Sequence, residues 1–314
     1  MRVVTSAEID RVLTFPALIG ALAEAFRGDM VTPVRHHHEI ERSGAHGTLL
    51  LMPSWTGPAM QDGFIGVKIV SVFPENGAKS LPSVMGSYLL MDGVTGSPVA
   101  VLDGTRLTVW RTAAASALAA RHLAREDASR MVMVGAGSLA PFLIRAHMSQ
   151  RPIREVALWN HNLEKAENLA AGLRAEGLPV TAVADLEAAV HEADLVSCAT
   201  LSNTPIVRGA WLKAGVHLDL VGAFNLRMRE ADDDALRRAQ VYIDTPAAKS
   251  EGGDVAVSLQ SGAIAESHVL GTLTDLCQAP PRRDPAAITT FKSVGAALED
   301  LAAAMLVWRS LAKA

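Results

Sequence analysis

The chain has 314 residues, 49% of them hydrophobic and 20% charged, and a formal net charge of −4. That is too long for one ordinary domain and comfortable for two, with apolar surface for two cores and a charge balance that argues against nucleic acid or an anionic membrane as partner. Only Cys198 and Cys277 are present, with no disulfide framework or zinc spacing, and no apolar run reaches the ~18–20 residues of a membrane span. The first ten residues are too polar and acidic for a signal peptide, so a reducing cytoplasmic location is expected.

In chain order, Ser6 and Glu8 followed by Val12, Leu13, Ile19, Leu22 and Phe26 predict one or two N-terminal helices. Residues 31–103 alternate or run apolar at 48–52, 64–70, 85–91 and 98–102, with Gly and Pro between. The turn pairs Asp92, Gly93 and Thr95, Gly96 predict a hairpin, and the region reads as a mostly antiparallel sheet. His36 and His38 share a strand face, but no further ligands of metal-site geometry are identifiable, and no metal is expected. Residues 105–123 turn Ala-rich and helical.

From Arg130 the pattern changes to strand–helix alternation. Strands are predicted at 131–134, 155–159, 180–183, 194–199, 216–221 and 240–243, with helices at 141–150, 163–175 and 186–192. Repeated units of this length imply a parallel sheet with helices on both faces. Gly135, Gly137 and Ala140 follow the first strand at the spacing of a dinucleotide-binding turn. The first Gly permits the bend, the second lets backbone approach a pyrophosphate, and the third small residue lets helix and strand pack closely. The helix N-terminus adds unpaired N–H groups and a positive dipole end. A last strand and turn are predicted over 289–295 and a helix over 296–311, which is expected to leave the nucleotide domain. The expected class is α/β: a Rossmann doubly wound domain at 126–295, and an α+β domain formed by 1–125 with 296–314.

The second predicted strand ends in Asn160, His161 and Asn162, where an acid would hold the ribose hydroxyls of NAD. A missing carboxylate removes repulsion toward a 2′-phosphate. Asn160 and His161 offer donors and Lys165 a charge, so the expected cofactor is NAD(P), leaning to NADP. The plainer alternative is that Asn160 caps the following helix.

Three cations stand out upstream: Arg35, Lys68 inside an apolar strand, and Arg111 in an Ala-rich helix. Each alone reads as a surface or snorkelling cation. Together they suit a carboxylate, which Arg can hold through two parallel bonds.

With these residues in place, the chain resembles the ornithine cyclodeaminase/μ-crystallin family over nearly its full length. The matching segments include Pro33 and Arg35; Leu51, Met52 and Pro53; Gly66 and Lys68; Leu81 to Val84; Thr95 to Pro98; Arg111 to Ala114; Gly135 to Gly137; Val221 to Ala223; and Phe291 to Gly295. The resemblance implies a substrate domain that also forms a homodimer through its sheet. It implies that Arg35, Lys68 and Arg111 hold the α-carboxylate of a small amino or imino acid, with Val294 on the substrate. It places Ser83, Thr112, Ser138, Leu139, Asn160, Thr200 and Ser293 against the dinucleotide. Val221 and Gly222 are expected there as well, beside Gly135, Gly137 and His161.

Two departures bear on the reaction. Where cyclodeaminases carry an Asp after the fifth strand, this chain has Phe224; where they carry a Glu before the Leu-Met-Pro run, it has Leu50. In the family these acids hold the side-chain ammonium of ornithine, and an ammonium facing Phe224 and Leu50 would be desolvated without a partner. Reducing an already formed cyclic imine needs a proton on nitrogen but no loss of ammonia, with Lys68 or water as the proton source. The leading expectation is therefore an NAD(P)-dependent ketimine reductase or amino-acid dehydrogenase. Ornithine cyclodeaminase and a non-catalytic binding protein are the alternatives. Replacing Arg111 with Ala is expected to abolish catalysis and leave the fold intact.

Overall fold

The computed structural model describes every residue except Ser43, Gly44, Gln61, Asp62, Ser80 and Ala314. The chain divides into two compact units, Met1–Thr112 with Ala296–Ala314, and Ala113–Gly295.

In the first unit, β1 (Arg2–Val4), α1 (Ser6–Val12) and α2 (Phe15–Arg27) precede β2 (Met30–Val31), β3 (His36–Arg42), β4 (Ala45–Thr56) and β5 (Phe64–Val72). Then come β6 (Val84–Asp92), β7 (Pro98–Asp103) and α3 (Gly104–Leu123). The strands form one sheet in the order β1-β7-β6-β5-β4-β2, with β3 also on β4. Every pairing is antiparallel except that of β1 with β7. The predicted hairpin is β6–β7, and Asp92 holds its turn by accepting from the N–H groups of Val94 and Thr95. The three-residue β1 is not predicted, since so short a segment shows no alternation.

The second unit runs β8 (Arg130–Val134), α4 (Ala140–Met148), β9 (Glu155–Trp159), α5 (Leu163–Ala175), β10 (Val180–Ala182), α6 (Leu186–Glu192) and β11 (Leu195–Cys198). It continues with β12 (His217–Leu220), α7 (Asp233–Arg237), β13 (Ala239–Ile243), α8 (Ala248–Glu251) and α9 (Gly253–Gln260). It closes with β14 (Val269–Thr272), α10 (Leu273–Gln278) and β15 (Ile288–Lys292). The last helix, α11 (Ala297–Lys313), belongs to the first unit. All pairings in this sheet are parallel, in the order β10-β9-β8-β11-β12-β15-β13-β14. The order reverses direction between β8 and β11, which is the switch point of a doubly wound sheet, where ligands bind beyond the strands' C-terminal ends. The central strands β11, β12 and β15 are buried along their length, and β8 from Met131 onward, as a sheet covered on two faces requires.

The expected first boundary at residue 125 differs from the observed one at 112 because α3 is continuous across it and its second half is held by the second unit. Buried Arg151 donates from Nη2 to the carbonyls of Ala120, Arg121 and Ala124 at 2.8, 2.7 and 2.9 Å, closing the C-terminal end of α3. A cation there satisfies orphan carbonyls and complements the helix dipole.

In the first unit α11 packs against α2 and the inner face of β4, β5 and β6. Leu18, Ile19 and Leu22 of α2 and Leu301, Met305 and Val307 of α11 are buried in this unit. The small residue Gly66 is required on this face, because a Cβ there would lie 1.9 Å from the Tyr88 hydroxyl.

Candidate active site

Strand pairing places Met52, Lys68 and Tyr88 side by side on the inner face of the first unit's sheet. Leu50 pairs with Val70 and so lies on the same face as Lys68. Lys68 and Arg111 are 2% and 6% exposed, so neither is the surface or snorkelling cation that each suggests alone. Two acids from the first turn of α11 meet them. Lys68 Nζ lies 2.7 Å from Asp300 Oδ2, Arg111 Nε donates to Asp300 Oδ1 at 3.1 Å, and Arg111 Nη1 donates to Glu299 Oε2 at 2.8 Å. Asp300 thus joins the strand cation to the helix cation. Both acids are wholly buried, and two positive charges face two negative ones. Such a network holds only while its members remain paired, because each charge has left water.

Burial pushes the Lys68 ammonium down to about 8; Arg111 adds to the shift, and Asp300 opposes it. Burial and the charge of Asp300 push the Tyr88 phenol well up, so it stays neutral. Arg35 lies half-buried between β2 and β3. Ser83 precedes β6 and donates from its hydroxyl to the Pro74 carbonyl at 3.4 Å; Thr112 follows Arg111 in α3 and is half-buried. Glu299 and Asp300 escape a reading by hydrophobic period. Their signal is two adjacent acids inside an otherwise apolar Ala- and Leu-rich stretch.

Every residue singled out in the second unit follows the C-terminal end of a parallel strand. Gly135, Gly137, Ser138 and Leu139 follow β8; Asn160 and His161 follow β9; Thr200 follows β11. Val221, Gly222 and Phe224 follow β12, and Ser293 and Val294 follow β15. Gly135 has φ of +110°, and a Cβ would lie 2.7 Å from the Ala199 carbonyl oxygen, so only glycine serves there. At Gly137 a Cβ would meet nothing within 4 Å, which leaves the turn's backbone open to a phosphate.

Polar side chains hold these loops. Asn160 Oδ1 accepts from the Ala136 N–H at 3.3 Å and its Nδ2 donates to the Asn162 carbonyl at 3.0 Å. Asn160 therefore braces the glycine turn and does not cap α5; the cap is Asn162, which accepts from Lys165 N–H. His161 and Lys165 are exposed beside it. Asp244 Oδ2 accepts from the N–H groups of Val294 and Gly295 at 2.7 and 2.6 Å. The Ser293 hydroxyl is buried. Glu230, wholly buried, takes both N–H and hydroxyl of Thr200 and the N–H of Gly222. Asp244 and Glu230 are absent from the sequence reading, since neither sits in a turn motif. Phe224 is 42% exposed, a large aromatic standing proud of the loop after β12.

The strand order and the glycine turn define a Rossmann-type α/β unit, accompanied by a sheet-based unit with a buried cation pair. The chain belongs to the family described as "Ornithine cyclodeaminase/mu-crystallin family", whose model matches residues 1–314. It is 34% identical over 320 residues to the Delta(1)-pyrroline-2-carboxylate reductase of Colwellia psychrerythraea, covering 99% of this chain and 100% of that one. Among solved structures it superimposes with TM-score 0.93 and 30% identity on the Delta(1)-pyrroline-2-carboxylate reductase of Thermococcus litoralis, in complex with NADH and L-proline. That match covers 100% of this chain and 98% of the other. An archaeal alanine dehydrogenase, described as a dimer with bound NAD, matches with TM-score 0.90 and 29% identity over 100% and 97% of the two chains.

Proposed function

We propose that the protein is an NAD(P)-dependent oxidoreductase that reduces a cyclic imino acid, a ketimine such as pyrroline-2-carboxylate, by hydride transfer to Cα. The observation that carries this is the buried Lys68–Asp300–Arg111–Glu299 network, which holds two cations in fixed positions as a carboxylate anchor. Arg35 completes the anchor in this reading. The related reductases and the complex with proline and NADH support the substrate class.

The residues of the second unit fit a dinucleotide. Gly135 makes the bend, the open backbone at Gly137 and Ser138 accepts the pyrophosphate, and Asn160 and His161 reach the adenosine ribose. Leu139, Thr200, Val221, Gly222 and Ser293 complete its contacts within this unit. Bound, the nicotinamide supplies the hydride. This chain's own residues hold the carboxylate, keep water from Cα, and supply the proton that the imine nitrogen takes, here from Lys68 Nζ. The preference for NADP(H) rests on His161 and Lys165, exposed where an acid would repel a 2′-phosphate.

In this reading Leu50 of the first unit, and Phe224 and Val294 of the second, are each assigned to the substrate. An aromatic and an aliphatic residue stand where an ammonium would need acids, which favours reduction over deaminating cyclisation. The outer face of the first unit's sheet exposes Val3, Ile69 and Met85, an apolar surface suited to a second copy; the similar archaeal alanine dehydrogenase is described as a dimer. Light scattering is expected to give the mass of a dimer, and Ile69→Glu that of a monomer; a monomeric parent protein refutes this assembly.

The functional test offers pyrroline-2-carboxylate with NADPH or NADH, and L-ornithine with NAD+. Proline with stoichiometric NAD(P)H oxidation is expected from the first, at a lower KM for NADPH. Proline and ammonia from ornithine at comparable kcat/KM would establish cyclodeamination instead. Binding without turnover across a panel of cyclic imines would leave a carrier.

A further inference from the structure

We infer that Glu230 is a positioning residue for the nicotinamide half of the dinucleotide, tying the loop after β11 to the loop after β12. This rests on the dinucleotide reading above and names a residue outside the glycine turn on which that binding depends.

The backbone ladder between β11 and β12 closes with Val221 N–H on the Cys198 carbonyl at 2.9 Å. Beyond that point the two chains turn into separate loops, and the N–H groups of Thr200 and Gly222 need another acceptor. One carboxylate serves both. Glu230 Oε1 accepts from Thr200 N at 2.6 Å and from its hydroxyl at 2.9 Å, while Oε2 accepts from Gly222 N at 2.6 Å. The loops meet so closely that a Cβ on Gly222 would lie 2.1 Å from the Thr200 carbonyl oxygen and 2.4 Å from Glu230 Oε1.

Glu230 is itself fixed from behind. Its N–H and that of Ala231 donate to Asp254 Oδ1 at 2.7 and 3.0 Å, and Asp254 Oδ2 lies 3.4 Å from Lys292 Nζ at the end of β15. Glu230, Asp254 and Lys292 are all wholly buried. The chain of support therefore runs from β15 through two carboxylates to the loops at the C-terminal edge. In a doubly wound sheet β8 and β9 take the adenosine half of the ligand, and the strands past the switch point, here β11 and β12, take the other half. Glu230 braces only the second half.

Glu230→Gln keeps the shape but turns one acceptor oxygen into a donor facing an N–H. Calorimetric titration of the full chain with NADPH, NADH and ADP reads the effect. The expected result is at least a tenfold rise in Kd for the better-bound reduced dinucleotide, with Kd for ADP within twofold. KM for pyrroline-2-carboxylate should stay within threefold while kcat falls. Unchanged dinucleotide affinity would overturn the assignment, and so would a parallel loss of dinucleotide and ADP, which marks a general structural role. If Glu230→Gln does not fold, Glu230→Asp, too short to reach both loops, is judged by the same ratio. A parent protein that binds neither NADPH nor NADH would refute the dinucleotide reading and this inference with it. A parent that binds, beside a variant that binds equally, refutes the Glu230 assignment alone.

Discussion

Arg111→Ala is expected to lose turnover and stability together. Loss of the proposed carboxylate anchor should lower kcat/KM for imine reduction on the order of 10²–10³-fold or more, since in that reading the substrate is no longer held in its reactive orientation. The same change removes one of two cations that face Glu299 and Asp300, both wholly buried. Breaking a buried ion pair from one side costs about 3–5 kcal/mol, because a desolvated charge is left behind. The sequence alone leads to the expectation of an untouched fold; the buried pairing predicts a loss of stability instead. The two effects separate in a double variant. Arg111→Ala with Glu299→Gln should regain part of the stability in urea unfolding and none of the activity. A single variant as stable and active as the parent would remove Arg111 from the site.

Lys68→Met is the second large effect. It takes away the proposed anchor and proton source, and a fall in kcat on the order of 10²–10⁴-fold is expected. Because burial brings the Lys68 ammonium down to about 8, kcat/KM for imine reduction by the parent protein should decline as pH rises through that value. Lys68→Arg, which stays charged, should lose this limb while remaining slow. The shift also acts on stability. Lysine's ordinary value is 10.5, so between about 8 and 10.5 the unfolded chain binds a proton that the folded one has released. Stability from this group is therefore fully present above that window and is lost as pH falls through it. A pH profile flat to 10 would contradict the role of Lys68 as donor.

The parallel sheet was the most legible part of the molecule, because its strands are short apolar runs separated by helices of regular period. Helices α5 and α6 end where their sequences predict. Strand order was not legible: nothing in the run 288–292 says that it inserts between β12 and β13. The four-residue β14 carries too little pattern to be seen, and its pairing is irregular. In the candidate site, residues with a local reason to stand out are legible: glycines in a turn, a lysine in an apolar strand, an arginine among alanines. The acids that hold them were not. Glu299 and Asp300 meet Arg111 and Lys68 across most of the chain's length, and Glu230 and Asp244 act on backbone N–H groups that have no sequence signature. Long-range electrostatic partners become visible only when topology brings them together.

Hydride is expected to pass from the nicotinamide to the α-carbon of a cyclic imino acid. Incubating the protein with pyrroline-2-carboxylate and NAD(P)H deuterated at nicotinamide C4, followed by mass spectrometry and NMR of the product, tests it most directly. L-Proline carrying deuterium at Cα from one face of the nicotinamide is the predicted result. Proline with only hydrogen at Cα from both C4-deuterated epimers, or no proline while both ligands bind, would contradict it.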